Sequence, residues 1–535
     1  MSDKTARRQF STARSAFLVG SGILLSRIAG LVRDRVFAHY FGNSAAADAF
    51  KAAFRIPNLL QNLFGEGVLS ASFIPIYARL IAHENTAEAG RVAGAIVALL
   101  TFVTSLLVLL GVLATPSLID LIVPGFEGEK RALTIQLVQI LFPGAGLLVL
   151  SAWCLGILNS HGRFFMSYTA PVIWNAAMIA VLVGFGSHLT QYPLAEILAW
   201  GSVGGSALQL GIQLPSVLRL VHNLRLSLNV ALPGVQTVVR NFVPAFIGRG
   251  VVQISAYVDA LLASFLPTGA VAALSYAQAL YILPLSLFGM SVSAAELPAM
   301  SSARGNDQEI ATYLHRRLNA GLRQVAFFIV PSAAAFLALG DVLVAAIYQS
   351  GRFTHADAVY VWSVLAGAAV GLLASALGRL YTSTYYALHD TRTPLYYAIV
   401  RVILTTMLGY LCALPLPTAF GIEARWGVAG LTASAGLAGW AEFALLRHTL
   451  NRKIGRTGLP ASFLAQLWSA AAAGAAAVWA VKVALGPRHP ILMAVLILVP
   501  YGLIYFAITY GWGLSEAQAV VRRVTRLVGR PTNQV

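Results

Sequence analysis

The sequence predicts an all-α polytopic membrane protein of about 14 transmembrane helices, built as two pseudo-symmetric six-helix lobes plus two C-terminal helices. Composition is the first reason. Of 535 residues only 11% are charged and 58% are hydrophobic, whereas a soluble domain carries about 25% charged residues. The second is periodicity: apolar runs of about 20 residues recur without the period-2 alternation of strands. The third is an internal repeat. Phe41, Phe64-Gly65, Val68 and Pro75 are matched in order by Phe265, Phe288-Gly289, Val292 and Pro298, with only the last interval one residue shorter. Pro57 and Pro284 lie inside the two corresponding helices. Spans 1–2 thus recur as spans 7–8. Six spans per half is an even number, so the halves are parallel and related by an axis along the membrane normal.

In order, the first lobe takes spans 16–40, 46–80, 92–115, 132–158, 169–187 and 194–218. The second takes 237–266, 270–299, 310–348, 357–386, 394–416 and 427–447, and spans 461–484 and 490–512 complete the set. Span 1 follows basic residues as a signal peptide would, but Arg27 and Arg33 interrupt its apolar run, so it reads as a retained helix. Spans 13 and 14 are left over from the repeat and apolar, with small residues prominent (AAAGAAAVWA); together with the family resemblance given below they imply a groove for a lipid tail. The organisation expected is a cytoplasmic N-terminus (1–15), a first lobe (16–222), a second lobe (223–450), the two extra helices (451–513) and a basic tail (514–535) on the anionic inner leaflet.

The net charge of +17 does not require nucleic acid. With the N-terminus inside, 23 of the Lys and Arg fall in inner segments and 6 in outer loops, which places both termini in the cytoplasm. Cys154 and Cys412 lie in apolar stretches and form no pair, and there is no HExxH, GxSxG, P-loop or dinucleotide glycine pattern. The chain reads as a membrane transporter of the inner membrane, not an enzyme. Any driving force comes from an ion gradient such as Na⁺, the membrane potential or substrate flux.

Spans 1 and 2 nevertheless carry Arg27, Arg33, Asp34, Asp48, Lys51, Arg55 and Glu66. A charge at the bilayer centre costs at least about 2.5–3.5 kcal/mol, so these side chains face the protein interior, a water-filled cavity or one another. Helical spacing puts Asp48, Arg55, Asn62 and Glu66 on one stripe of span 2, and aligns Arg27 with Asp34 on span 1. Span 7 adds Arg249, Gln253 and Asp259. Arginine presents a planar fork that binds phosphate bidentately and stays charged when buried. The cluster therefore suits a phosphate-bearing substrate. The competing reading is ion-pair glue, Arg33 to Asp48 or Arg55 to Glu66.

The stretches SRIAGLVRD (Ser26–Asp34), Phe41-Gly42, ADAF (Ala47–Phe50), FRIPNLL (Phe54–Leu60), Glu66-Gly67 and Phe73-Ile74-Pro75 resemble the MviN/MurJ family of lipid II flippases. So do YQSGRFT (Tyr348–Thr354) and YALHDTRTP (Tyr386–Pro394). The resemblance implies the multidrug/oligosaccharidyl-lipid/polysaccharide exporter fold. It also implies that undecaprenyl-pyrophosphate-linked peptidoglycan precursor moves from the inner to the outer leaflet by alternating access. Arg27 and Arg33 match cavity arginines needed for function, and Asp34, Asp48 and Glu66 match acidic cavity positions. Two positions depart from the family: Gln61 and Asn62 stand where an arginine often follows PNLL, and Ala279 in YAQAL stands where helix 8 usually carries one. Arg249 is the candidate replacement. Asp259, Asp390 and Thr406 are the candidate monovalent-cation ligands. Expected partners are the lipid-linked sugar pyrophosphate, membrane lipids and the cell-wall synthesis machinery, with the protein a monomer. The alternatives are another polyprenyl-pyrophosphate-linked oligosaccharide as cargo, or a cation-coupled drug exporter of the same superfamily.

Overall fold

The computed structural model describes the backbone of residues 2–486 and 488–528, and their side chains except at 2–20, 23, 66, 245, 247–256 and 523–528. The described residues are helical throughout, with one isolated bridge between Ser350 and Phe353. Span 1 is α1 (Ser2–Phe41) and span 2 is broken into α2 (Ala45–Phe64), α3 (Glu66–Ser72) and α4 (Ile74–Ala82). Spans 3–7 are α5 (Thr86–Ile122), α6 (Gly128–Ser160), α7 (Phe164–Phe185), α8 (Gln191–Leu220) and α9 (Pro233–Ser264). Span 8 is α10 (Ala270–Pro284), a π-helical turn (Leu285–Met290) and α11 (Ser291–Ser301). Spans 9 and 10 are each two pieces, α12 (Asp307–Ala338) with α13 (Gly340–Tyr348), and α14 (His355–Ala369) with α15 (Leu372–Ala387). Then follow α16 (Arg392–Ala413), a short α17 (Pro415–Ala419), α18 (Gly427–Ile454), α19 (Ala461–Leu485), α20 (Pro490–Gly511) and α21 (Ser515–Val528).

All 14 predicted spans thus correspond to a helix or a broken helix. Among the described residues nine helices are long and apolar enough to cross a membrane by themselves, and α14–α15 qualify as a pair bent by 42°. The lipid-facing surface is visible as exposed apolar stripes at helical spacing: Leu106, Leu109, Leu110 and Leu113 on α5, and Val495, Val499 and Leu503 on α20.

Span 2 is discontinuous, as its helix-breaking residues lead one to expect, but the break falls at Gly65 and not at Pro57, which lies inside α2. Gly65 sits at φ −86°, ψ −149°, and a Cβ there would lie 2.1 Å from the Gln61 carbonyl oxygen, so the chain breaks where only glycine fits. The repeat accounts for the place. The matched Gly289 falls inside the π-helical turn that follows Pro284. Likewise α1 ends at Phe41, and α9 ends one residue before its match, Phe265.

The chain forms two compact units, residues up to Ala272 with Ser350–Phe353, and residues Ala273–Gln349 with those after Phe353. In the first unit α9 packs on α2, α3 and α5, although the repeat groups it with the second half. Val235 and Val238 enter the core around Trp153 and Tyr77, and Phe242 and Phe246 meet the Phe64 ring at 5.5 and 5.2 Å.

In the second unit, α19 and α20 dock on α12 and α13 through Leu339, Val342, Val478 and Ile497. Pro331 interrupts α12 and deprives the Phe327 carbonyl of its intrahelical donor. The Tyr505 hydroxyl donates to that carbonyl at 2.7 Å, and Tyr501 donates to the Pro331 carbonyl at 2.7 Å. An unsatisfied buried carbonyl costs about 1–3 kcal/mol. Tyr505→Phe is therefore expected to destabilise the detergent-solubilised protein by that amount, read as a lower thermal midpoint, whereas an unchanged midpoint would show that another donor satisfies Phe327.

Candidate functional site

The α1–α2 hairpin builds the site. Its turn is fixed by Gly42 at φ +59° and by Ser44, whose hydroxyl accepts the Ala47 N–H at 3.2 Å as an N-cap. Asp34 lies seven residues before Phe41, and Lys51 seven after Ser44. Each is about two turns from the bend, so the two meet across the hairpin. Lys51 Nζ donates to Asp34 Oδ1 at 3.0 Å, and Arg33 Nη2 donates to the same oxygen at 3.1 Å.

Aromatic rings line both cations. Arg33 lies 5.0 Å from the Trp174 ring centroid and 5.9 Å from that of Phe54, two rings that stack at 5.6 Å. Lys51 lies 4.6 Å from Phe37. The three charged side chains are only 17%, 13% and 14% exposed. Arg33 and Lys51 share the Asp34 carboxylate inside membrane-spanning helices, a setting in which cations favour an anionic partner.

Arg55, one turn beyond Lys51, has Asp259 and Tyr257 of α9 within electrostatic reach, and its carbonyl accepts the Tyr257 hydroxyl at 2.9 Å. Arg27 is exposed, about two turns before Asp34 on α1. The side chains of Glu66 and Arg249 lie outside the described residues.

Asp48 corrects the stripe drawn from the sequence. It is fully buried, and its oxygens accept the Gly269 N–H (2.7 Å), the Ala272 N–H (2.8 Å) and the Lys130 ammonium (2.7 Å). It caps the start of α10, 224 residues on, at the offset of the repeat. With its acceptors filled and no exposure, Asp48 is a structural cap and not a substrate ligand. Lys130, counted above with the outer-loop cations, is its counterion, 3.9 Å from the Phe126 ring centroid.

Two of the proposed cation ligands, Asp390 and Thr406, are not brought together. Asp390 precedes α16 and Thr406 lies well inside it, about 24 Å apart along the chain at the helical rise. Asp390 accepts the Thr393 N–H (3.0 Å), the Thr393 hydroxyl (2.8 Å) and Lys453 Nζ (2.7 Å). Burial pushes its carboxyl pKa up, but Lys453 and Thr393 outweigh burial and hold it at about 2. The Thr406 hydroxyl donates to its own helix at Val402. Among the described residues no group of three His, Cys, Asp or Glu side chains is placed to hold a metal ion.

One residue of the site was not singled out from sequence. Trp174 had no local signal, being one tryptophan of nine in an apolar span. Lys51 was seen, but its pairing with Asp34 depends on the turn geometry.

Fold and site together define a multi-pass transporter of the inner membrane with a cation-rich polar site in its first unit. The family model for the lipid II flippase MurJ matches residues 37–510. Among curated relatives, a probable lipid II flippase MurJ of Rhizobium meliloti is 31% identical over 527 residues, covering 95% of each chain. One from Rhizobium tropici is 32% identical over 450 residues, 83% of this chain and 81% of that one. The lipid II flippase MurJ of Burkholderia cenocepacia is 31% identical over 430 residues, 79% and 81% of the two chains. Among solved structures, a lipid II flippase MurJ in an inward closed conformation shares the fold at TM-score 0.76 and 23% identity, covering 93% of this chain and 98% of that one. An inward-facing MATE multidrug transporter shares it at TM-score 0.64 and 16% identity, covering 82% and 98%. The chain belongs to the MurJ family of lipid II flippases.

Proposed function

We propose that this protein carries lipid II, the undecaprenyl-pyrophosphate-linked peptidoglycan precursor, from the inner to the outer leaflet of the cytoplasmic membrane for cell-wall synthesis. The observation that carries this reading is the single Asp34 carboxylate shared by Arg33 and Lys51 inside the span 1–2 hairpin. A pyrophosphate brings negative charge to these two cations, and arginine matches its oxygens geometrically. The sugar-pyrophosphate headgroup engages Arg27, Arg33 and Arg55 from the cytoplasmic side, and alternating access then presents it outside. Both termini are cytoplasmic in this reading. The polyprenyl tail follows α19 and α20, and the protein works as a monomer alongside the cell-wall machinery. An inside-negative potential acts on the excess positive charge at about 2.3 kcal/mol per charge per 100 mV.

A cation-coupled drug exporter of the same superfamily would want an acidic or aromatic cavity, and the arginines of this site argue against it. Cargo of another polyprenyl-pyrophosphate class is favoured by one observation only, Ala279 in place of the helix-8 arginine. The test is complementation of a cell depleted of its lipid II flippase, with Arg27→Ala and Arg55→Ala beside the unaltered chain. The unaltered chain is expected to restore growth and both variants to fail. Growth with both variants would sink the assignment of these residues, and failure of the unaltered chain would sink lipid II as cargo.

A further inference from the structure

The second unit has a polar cluster of its own within the membrane spans. Up to its last residue, the half-buried Ala387, α15 is buried on every side except for one stripe: Ser375, Gly378, Arg379, Thr382 and Tyr386. The spacing is that of one helical face, and no side chain on it is aliphatic. A lipid-facing stripe would be apolar, like those of α5 and α20, so this face is turned to a polar space. A Cβ on Gly378 would meet nothing within 4 Å, so there is room beside Arg379.

Three further helices bring polar groups to the same place. Tyr281 of α10 lies close to Ser375 and within electrostatic reach of Arg379 and Arg401. Arg401 sits on the face of α16 that packs against α18, where its Nη1 donates to Glu442 Oε2 at 3.1 Å. Its Nε is buried with no hydrogen-bond partner. Arg379 and Arg401 are close enough to repel each other, and Glu442 is the one carboxylate acting on Arg379. Two arginines against one glutamate leave a net positive charge, and a buried N–H is left unpaired. An isolated charge or donor in this setting is costly. A phosphate dianion or diester relieves both costs, because its oxygens accept from the arginine forks and from a hydroxyl.

We propose that the second unit holds a phosphate group of the lipid-linked substrate between Arg379 and Arg401, with the Tyr281 hydroxyl beside them. This rests on the reading of the chain as a flippase for a pyrophosphate-linked lipid. It supplies from α15 and α16 the cation that Ala279 leaves missing on α10, without calling on Arg249.

The test is binding of undecaprenyl pyrophosphate to the full chain in lipid nanodiscs, read by native mass spectrometry. Arg379→Gln and Arg401→Gln are each expected to weaken binding about 10- to 100-fold, the worth of one charge-assisted hydrogen-bonding partner. Arg379→Lys should recover most of the loss. Arg379 is exposed, so its substitution should leave the thermal midpoint in place, which separates lost binding from lost fold. Undiminished binding by Arg379→Gln, with binding lost in Arg33→Gln, overturns this inference and spares the flippase reading. Absence of binding by the unaltered chain overturns both. A parallel titration with phosphatidylglycerol identifies the source of the phosphate. If the variants lose that lipid and keep undecaprenyl pyrophosphate, the site serves bulk lipid and the proposal falls.

Discussion

Arg33→Gln is expected to abolish complementation of a flippase-depleted cell while leaving the protein folded. The guanidinium donates to Asp34 and lies against Trp174 and Phe54. Its removal does not orphan Asp34, because Lys51 still donates to the same oxygen at 3.0 Å. The large penalty of an unpaired buried charge, about 3–5 kcal/mol, is therefore avoided and the thermal midpoint should shift little. What is lost is the excess cation. Affinity for a pyrophosphate-linked lipid should fall about 10- to 100-fold, as a charge-assisted hydrogen bond contributes roughly 1.5–3 kcal/mol. Arg33→Lys should be intermediate, since lysine keeps the charge but loses the planar fork that lies on Trp174. The contrasting substitution is Asp34→Ala, which leaves two neighbouring cations uncompensated and should destabilise the hairpin. If Arg33→Gln melted the protein as Asp34→Ala does, the ion-pair-glue reading would be right and the substrate role wrong.

What the sequence made legible follows from which interactions are local. Span positions come from apolar runs, and the repeat comes from matched spacings, so both survive in the structure down to the coincident ends of α1 and α9. The Arg33–Asp34–Lys51 group was half legible. Its members are conspicuous as charges in an apolar run, but the partners proposed were Asp48 for Arg33 and Glu66 for Arg55. Helical periodicity places residues on a face of their own helix and does not say which neighbour that face meets. Asp48 shows the limit most clearly: its partners lie 82 and 221 residues away at Lys130 and Gly269. The break in span 2 fell at Gly65 and not at Pro57 for a related reason. Gly65 stands out in the sequence only through the repeat, and the steric conflict with the Gln61 carbonyl that forces the break exists only once the helix is built. Arg379 and Arg401 have no signal in the sequence beyond being cations within apolar spans. Tertiary packing on Tyr281 and Glu442 gives them a place.

Asp48 separates folding from binding most sharply. Asp48→Ala is expected to destabilise the protein by about 3–5 kcal/mol, the cost of breaking a buried pair and leaving the other charge unpaired. The loss has two sources. Lys130 keeps its charge at a site where its ammonium is 15% exposed, and the first amides of α10 lose an anionic cap worth about 0.5–2 kcal/mol. Asp48→Asn keeps an acceptor for one amide but still leaves Lys130 unbalanced, so it should fall between. Adding Lys130→Met to Asp48→Asn removes the unpaired charge and should recover much of the stability, a coupling that a double-mutant cycle in thermal midpoints would measure. A substrate ligand would behave in the opposite way: the midpoint would hold while affinity for the pyrophosphate lipid collapsed. Asp48 joins the hairpin that carries Arg33 and Lys51 to the start of α10. Loss of that cap should therefore reduce transport only by loosening the site, and lowering the temperature should restore activity to Asp48→Asn but not to Arg33→Gln.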